Sequence, residues 1–139
     1  MEFWERQKSV GELYEQMSKP IKSRYNLKQM ELDILLFLYN NPQYNRASDI
    51  VRIRHLTKSH VSASIKHLEE IEYLTCSYLD KKSLNLQISE KAMPCILEGK
   101  KMQEAYMQIL FKDFSIEEVQ MYKRLFQKTC ENAEKEIKK

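Results

Sequence analysis

Apolar residues recur at helical spacing from the start of the chain, as Phe3, Val10, Leu13, Tyr14, Met17 and Ile21, with charged residues between them. This pattern predicts a first helix from residue 3 to about 25, apolar along one face. Pro20 falls inside it, so a kink or break is expected near residues 17–20. Asn26 with Gln29 three positions later reads as a capping box, and Leu27, Met30, Ile34, Leu35 and Leu38 line one side of a second helix that Asn40-Asn41-Pro42 ends. Residues 46–54 form a short helix with Ile50 and Ile53 inward. Thr57 caps a longer one, whose inner stripe is Val61, Ile65 and Leu68. Only His55-Leu56-Thr57 separate these two helices, the proportions of a helix-turn-helix.

The period then changes to two. Leu74, Cys76 and Tyr78 alternate with polar residues, as do Leu84, Leu86 and Ile88 after the polar turn Asp80-Lys81-Lys82-Ser83, which predicts a β-hairpin. A helix-turn-helix followed directly by a hairpin is a winged helix. From Ser89 helical spacing returns through Ile96, Leu97, Met102, Tyr106, Ile109 and Leu110, with Pro94 expected to delay or bend the first turns. Ser115 with Glu118 is a second capping box, so a last helix begins near Ile116 with Val119, Tyr122, Leu125, Phe126 and Cys130 on its apolar side. The tail from Glu131 is solvated and expected to fray. The predicted fold is mainly α, with about six helices and a two- to three-stranded wing.

The length of 139 residues allows one compact unit or an intimately shared dimer, and Gly 2 and Pro 3 speak against a barrel or a β-sandwich. The first residues are acidic and carry no apolar run, and no later stretch approaches a membrane span, so a cytoplasmic protein is expected. Cys76, Cys95 and Cys130 are odd in number, without CxxC spacing, and read as small apolar fillers. His55, His60 and His67 stand five and seven apart with no cysteine or carboxylate converging on them, so no metal site is expected. With no nucleophile-base pair and no phosphate loop, neither an enzyme nor a cofactor is expected.

The 23 Lys and Arg against 20 Asp and Glu give only +3, but the charge is uneven. Between Asn45 and His67 the cations Arg46, Arg52, Arg54, Lys58 and Lys66 face the single anion Asp49, and all three histidines lie there too. On the second of the paired helices, the stripe Val61, Ile65 and Leu68 leaves Ser59, His60, Ser62, Ala63, Lys66 and His67 facing outward, behind a first turn carrying Thr57 and Lys58. Short polar and basic groups can approach base edges, and free N–H groups at a helix start favour phosphate. Arg46, Arg54 and Lys58 are the candidate phosphate contacts; Ser59, His60 and Ser62 are the candidates for base edges.

Over nearly its whole length the chain resembles the MarR family of bacterial winged-helix regulators. The segment Asp80-Lys81-Lys82-Ser83-Leu84-Asn85-Leu86-Gln87-Ile88-Ser89-Glu90-Lys91-Ala92 is similar to the family's wing pattern, D-x-R-S-x-x-L-x-L-T-x-x-G. Leu56-Thr57-Lys58-Ser59-His60-Val61-Ser62 through Leu68-Glu69-Glu70 is similar to its recognition helix, and residues 27–35 to its second helix. The resemblance implies a homodimer binding a pseudo-palindromic operator, with Lys81 and Lys82 of the wing at the DNA and Asp80 orienting the wing. It also implies a ligand-responsive cleft. Three positions depart from the pattern. Lys82 replaces an arginine and loses its planar fork, Ala63 replaces a frequent recognition-helix arginine, and Ala92 followed by Pro94 replaces a glycine.

The apolar termini carry Phe3, Trp4, Val10, Tyr106, Leu110, Phe111, Tyr122 and Phe126, more than one winged helix can cover, so residues 1–25 and 90–139 are expected to form a dimerisation region around a DNA-binding lobe of residues 26–89. Tyr14, Met17, Tyr25 and Met30 are candidates for a cleft taking a flat or apolar effector that releases a repressor from DNA. The alternatives are a winged helix used for protein contacts and a thiol-switched regulator.

Overall fold

A computed structural model describes residues 2–78 and 84–137. The order is α1 (Phe3–Tyr25), α2 (Gln29–Asn40), α3 (Ala47–Arg54), α4 (Lys58–Glu70), β1 (Leu74–Tyr78), β2 (Leu84–Ile88), a 3₁₀ turn (Glu90–Ala92), α5 (Met93–Leu110) and α6 (Ile116–Ile137). The six helices and the hairpin fall where the hydrophobic periods place them. The wing-turn residues Asp80, Lys81 and Lys82 lie outside the described residues.

Pro20 does not end α1, which runs unbroken in secondary structure to Tyr25. It removes one backbone donor, and both Pro20 and Gln16, whose carbonyl loses its partner, are exposed, so water can replace the bond. The capping role expected of Asn26 also moves. Asn26 adopts the left-handed conformation (φ 55, ψ 50) and closes α1, its N–H donating to the Lys22 carbonyl. The cap of α2 lies two residues later, where the Lys28 N–H donates to Glu31 Oε1 at 2.7 Å. Asn is favoured both before a helix and in the left-handed region, and here the second preference prevails.

The chain divides into two compact units, one up to Tyr106 and one from Met107 on. The first holds the core. Leu32, Leu35 and Leu36 of α2, Ile50 of α3, Leu68 of α4 and Ile96 of α5 are all at most 1% exposed. Gly99 of α5 is fully buried among them, where an added Cβ would come within 2.7 Å of Leu36 Cδ2. A side chain at that position would force the Leu36 side chain to shift. β1 and β2 pair antiparallel from Leu74 opposite Ile88 to Tyr78 opposite Leu84. Arg46 forms an isolated antiparallel bridge with Asn85, and Leu86 N–H donates to the Asn45 carbonyl at 2.7 Å. The residues entering α3 thus serve as a third, minimal strand that fastens the hairpin to the helix-turn-helix. Pro94 occupies the first turn of α5 behind the 3₁₀ turn, where its missing donor costs nothing.

In the second unit Ser115 and Glu118 form the reciprocal box expected of them. Ser115 N–H donates to Glu118 Oε1 at 2.8 Å, and Glu118 N–H to Ser115 Oγ at 3.1 Å. α6 continues past Glu131 to Ile137 instead of fraying, helped by Gln127 Nε2 donating to Glu131 Oε1 at 2.8 Å one turn on. Phe111, Phe114 and Tyr122 meet edge to face at 5.2–6.3 Å, and Tyr122 stacks on Phe126 at 6.1 Å. α6 has no buried residue despite its apolar face.

Candidate nucleic-acid interface

α4 is seated by its inner stripe. Val61, Ile65 and Leu68 are 1%, 4% and 0% exposed, while Lys58, Ser59, His60, Ser62, Ala63 and Lys66 are exposed. The division is the one that the spacing predicts except at His67, which the spacing puts outward and which is half-buried against Glu31. His55 supplies the sharp joint before it, closing α3 in the left-handed conformation (φ 54, ψ 43) with its N–H on the Val51 carbonyl. Thr57 occupies the position before α4 in extended backbone, but its hydroxyl makes no capping bond. Its expected side-chain cap is therefore not formed, and the first-turn N–H groups beside Lys58 are not covered by Thr57.

Asp49, the one acid of this segment, is committed locally. It accepts from Arg46 N–H at 3.3 Å and from Arg52 Nη2 at 3.0 Å. Arg46 and Lys58 remain exposed. A groove of about 630 Å³ between the two helices and the hairpin, with Val51, Lys58, Val61, Tyr78 and Leu84 among its walls, continues this surface toward the wing.

The sequence reading places Arg54 among the phosphate contacts. In the structure its Nη2 stands 3.7 Å from Asp33 Oδ2 of α2, and both residues line a cavity of about 370 Å³ with Tyr14, Phe37, Gln103 and Tyr106. Tyr14 and Tyr106 meet edge to face at 5.0 Å, Gln103 Nε2 donates to the Tyr14 hydroxyl at 3.1 Å, and the Tyr106 hydroxyl donates to the Val10 carbonyl at 2.8 Å. Burial pushes the Asp33 carboxyl up, against a hydrogen bond from Gln29 and the nearby Arg54 and Lys22; Glu15 adds to the rise. Burial likewise raises the Tyr14 phenol. Of the four residues expected at an effector cleft, Tyr14 lines this cavity, while Met17, Tyr25 and Met30 pack against the core. Tyr25 also donates its hydroxyl to Glu98 of α5, which Arg24 engages as well.

A further contact is absent from the sequence reading. Glu31, 3% exposed, meets His67 Nδ1 at 2.5 Å through its second oxygen and so joins the start of α2 to α4. A charged residue inside the apolar run of the second helix was the available sign of it.

Among the candidate dimer residues Phe3, Trp4, Tyr122 and Phe126 are 64%, 72%, 48% and 59% exposed, and Val10 is 43% exposed. Tyr106 and Leu110 are half-buried. Burial pushes the Cys76 and Cys95 thiols up to about 11, with Glu69 reinforcing the effect at Cys76. Among the described residues, no cluster of three His, Cys, Asp or Glu could hold a metal ion, and no helix is long and apolar enough to cross a membrane.

The chain matches no protein-family model and no curated protein by sequence. Solved structures match it closely in shape. Staphylococcus aureus MepR in its DNA-binding conformation aligns at TM-score 0.85 and 15% identity, over 96% of this chain and 99% of that one. A MarR-family transcriptional regulator from Listeria monocytogenes complexed with 26mer DNA aligns at 0.84 and 19%, over 95% and 89%. The S. aureus MepR–DNA complex aligns at 0.80 and 16%, over 96% and 98%. The chain is a winged-helix protein. Its fold is that of the MarR-family transcriptional regulators.

Proposed function

We propose that the protein is a sequence-specific double-stranded DNA-binding transcriptional regulator, a homodimeric repressor released by a small-molecule effector. The observation that carries this reading is the outward face of α4, where Lys58, Ser59, His60, Ser62 and Lys66 are all exposed over a fully seated apolar stripe. Lys58 and Lys66, with Arg46 before α3, set affinity through phosphate, and Lys81 and Lys82 extend the contact along the wing with Asp80 orienting it. Thr57 and the first-turn N–H groups bind phosphate at the helix start, and Ser59, His60 and Ser62 read base edges. Arg54 belongs to the cavity, and the effector is placed there beside Tyr14.

The dimer is supported by the exposed Phe3, Trp4, Val10, Tyr122 and Phe126, joined by the half-buried Tyr106 and Leu110. Residues 1–25 and 90–139 form the dimerisation region, and residues 26–89 the DNA-binding lobe. A two-fold dimer presents two copies of α4 at about the 34 Å repeat of the double helix. Selection of bound fragments from genomic DNA, followed by mobility-shift titration, tests the reading. Enrichment of one pseudo-palindromic sequence is expected, and uniform recovery of all fragments would refute sequence-specific regulation.

A further inference from the structure

Asp33 is the one carboxylate in a cavity whose other walls are largely aromatic and amide. Its only cation there, Arg54, stands at 3.7 Å, beyond hydrogen-bond distance and far from the 2.7–2.9 Å of a well-made guanidinium–carboxylate fork. The Arg54 side chain is also 44% exposed. The site therefore holds a planar cation already, but holds it loosely, at the open side of a space large enough for a small organic molecule.

We propose that the effector is an aromatic organic cation that takes Asp33 from Arg54. This deepens, and rests on, the effector reading given above. The ring of such a ligand packs against Tyr14, Phe37 and Tyr106, whose π-faces favour positive charge, and its cationic end pairs with Asp33 while Gln103 offers its amide at the edge. Burial leaves the Asp33 carboxyl raised even with Arg54, Lys22 and Gln29 beside it, so the present partners do not repay its desolvation, and a better-placed cation is rewarded. An anionic ligand would meet Asp33 at close range and would gain only from Arg54.

The exchange reaches the reading head because of where Arg54 sits. It is the last residue of α3, directly before the left-handed His55 and the joint to α4, while Asp33 belongs to α2. Their ion pair tethers the end of α3, and a ligand that displaces Arg54 loosens that tether. The differential interaction that any effector must supply is then the competition between two cations for one carboxylate.

Isothermal titration calorimetry of the intact protein with benzamidine, benzamide and benzoate tests this. These probes share a ring but carry an amidinium, a neutral amide and a carboxylate. Benzamidine is expected to bind at least about fivefold tighter than the other two, Asp33→Asn to lose that preference, and Arg54→Ala to tighten benzamidine by a similar factor by removing the internal competitor. Thermal melts establish that each variant is folded, and Arg54→Ala remains informative if Asp33→Asn is not. Tighter benzoate binding that Arg54→Ala abolishes would overturn the cationic effector while leaving the cavity a ligand site. Absence of binding by all three probes would overturn the cavity reading with it.

Discussion

The winged-helix lobe and the last helix solve the same problem differently. Every buried side chain among the described residues lies at or before Met102, and the stripe of α4 is completed by α2, α3 and the hairpin within one chain. α6 carries a comparable apolar face, with Tyr122, Leu125 and Phe126 each at least 48% exposed and no residue of the helix buried. An exposed stripe of that kind on a 22-residue helix is what the proposed dimer interface calls for. The first region buries its stripe within the chain; in the dimer proposed above, the second would bury its stripe against a second copy. On the proposed reading the DNA-binding lobe is complete within one chain and the termini join two copies.

Breaking the terminal face carries the largest expected effect. The double substitution Tyr122→Asp and Phe126→Asp should yield monomers in sedimentation velocity, with operator affinity down by about a hundredfold or more as two linked half-sites become one. Intact dimers would refute the interface. Truncation in the head acts on folding instead: Leu68→Ala, at a position 0% exposed, should cost about 2–5 kcal/mol in urea unfolding. On the outward face, Lys58→Ala should weaken all duplexes alike and lower the salt slope by about 2, one phosphate contact from each protomer of the dimer, read by fluorescence anisotropy across a salt series. His60→Ala should shift preference at one base position by about tenfold while leaving random-sequence affinity nearly unchanged, read by competition among single-base operator variants. Hydrogen peroxide should not act through Cys76 or Cys95. With thiols near 11, roughly one Cys76 or Cys95 in ten thousand is thiolate at neutral pH, and operator binding should persist in a mobility shift.

Local chemistry made most of the architecture legible. The switch from a period near four to a period of two at residues 73–74 locates the hairpin, and Ser115 with Glu118 locates the start of α6. Residues that serve two purposes were harder to read. Asn26 can open or close a helix, and the Lys28–Glu31 contact two residues later decides which. Pro20 breaks a helix only when the orphaned carbonyl cannot be solvated. The outward set on α4 follows from its inner stripe, so those candidates were accessible from spacing alone. The cavity was not. Asp33 and Arg54 are separated by a helix end, a loop and a helix, and nothing in either local pattern says that they meet. The same holds for Glu31 and His67.

The most direct measurement of the central claim, a cationic head made for double-stranded DNA, is the affinity of the full chain for a random duplex as a function of salt. The expected result is a log–log plot falling steeply and linearly, with a slope near 0.9 for each phosphate neutralised, about 4 or more for a dimer using Arg46 and Lys58 from both protomers. A flat plot, or no retention at low salt, would contradict it and leave the winged helix as a surface for protein contacts.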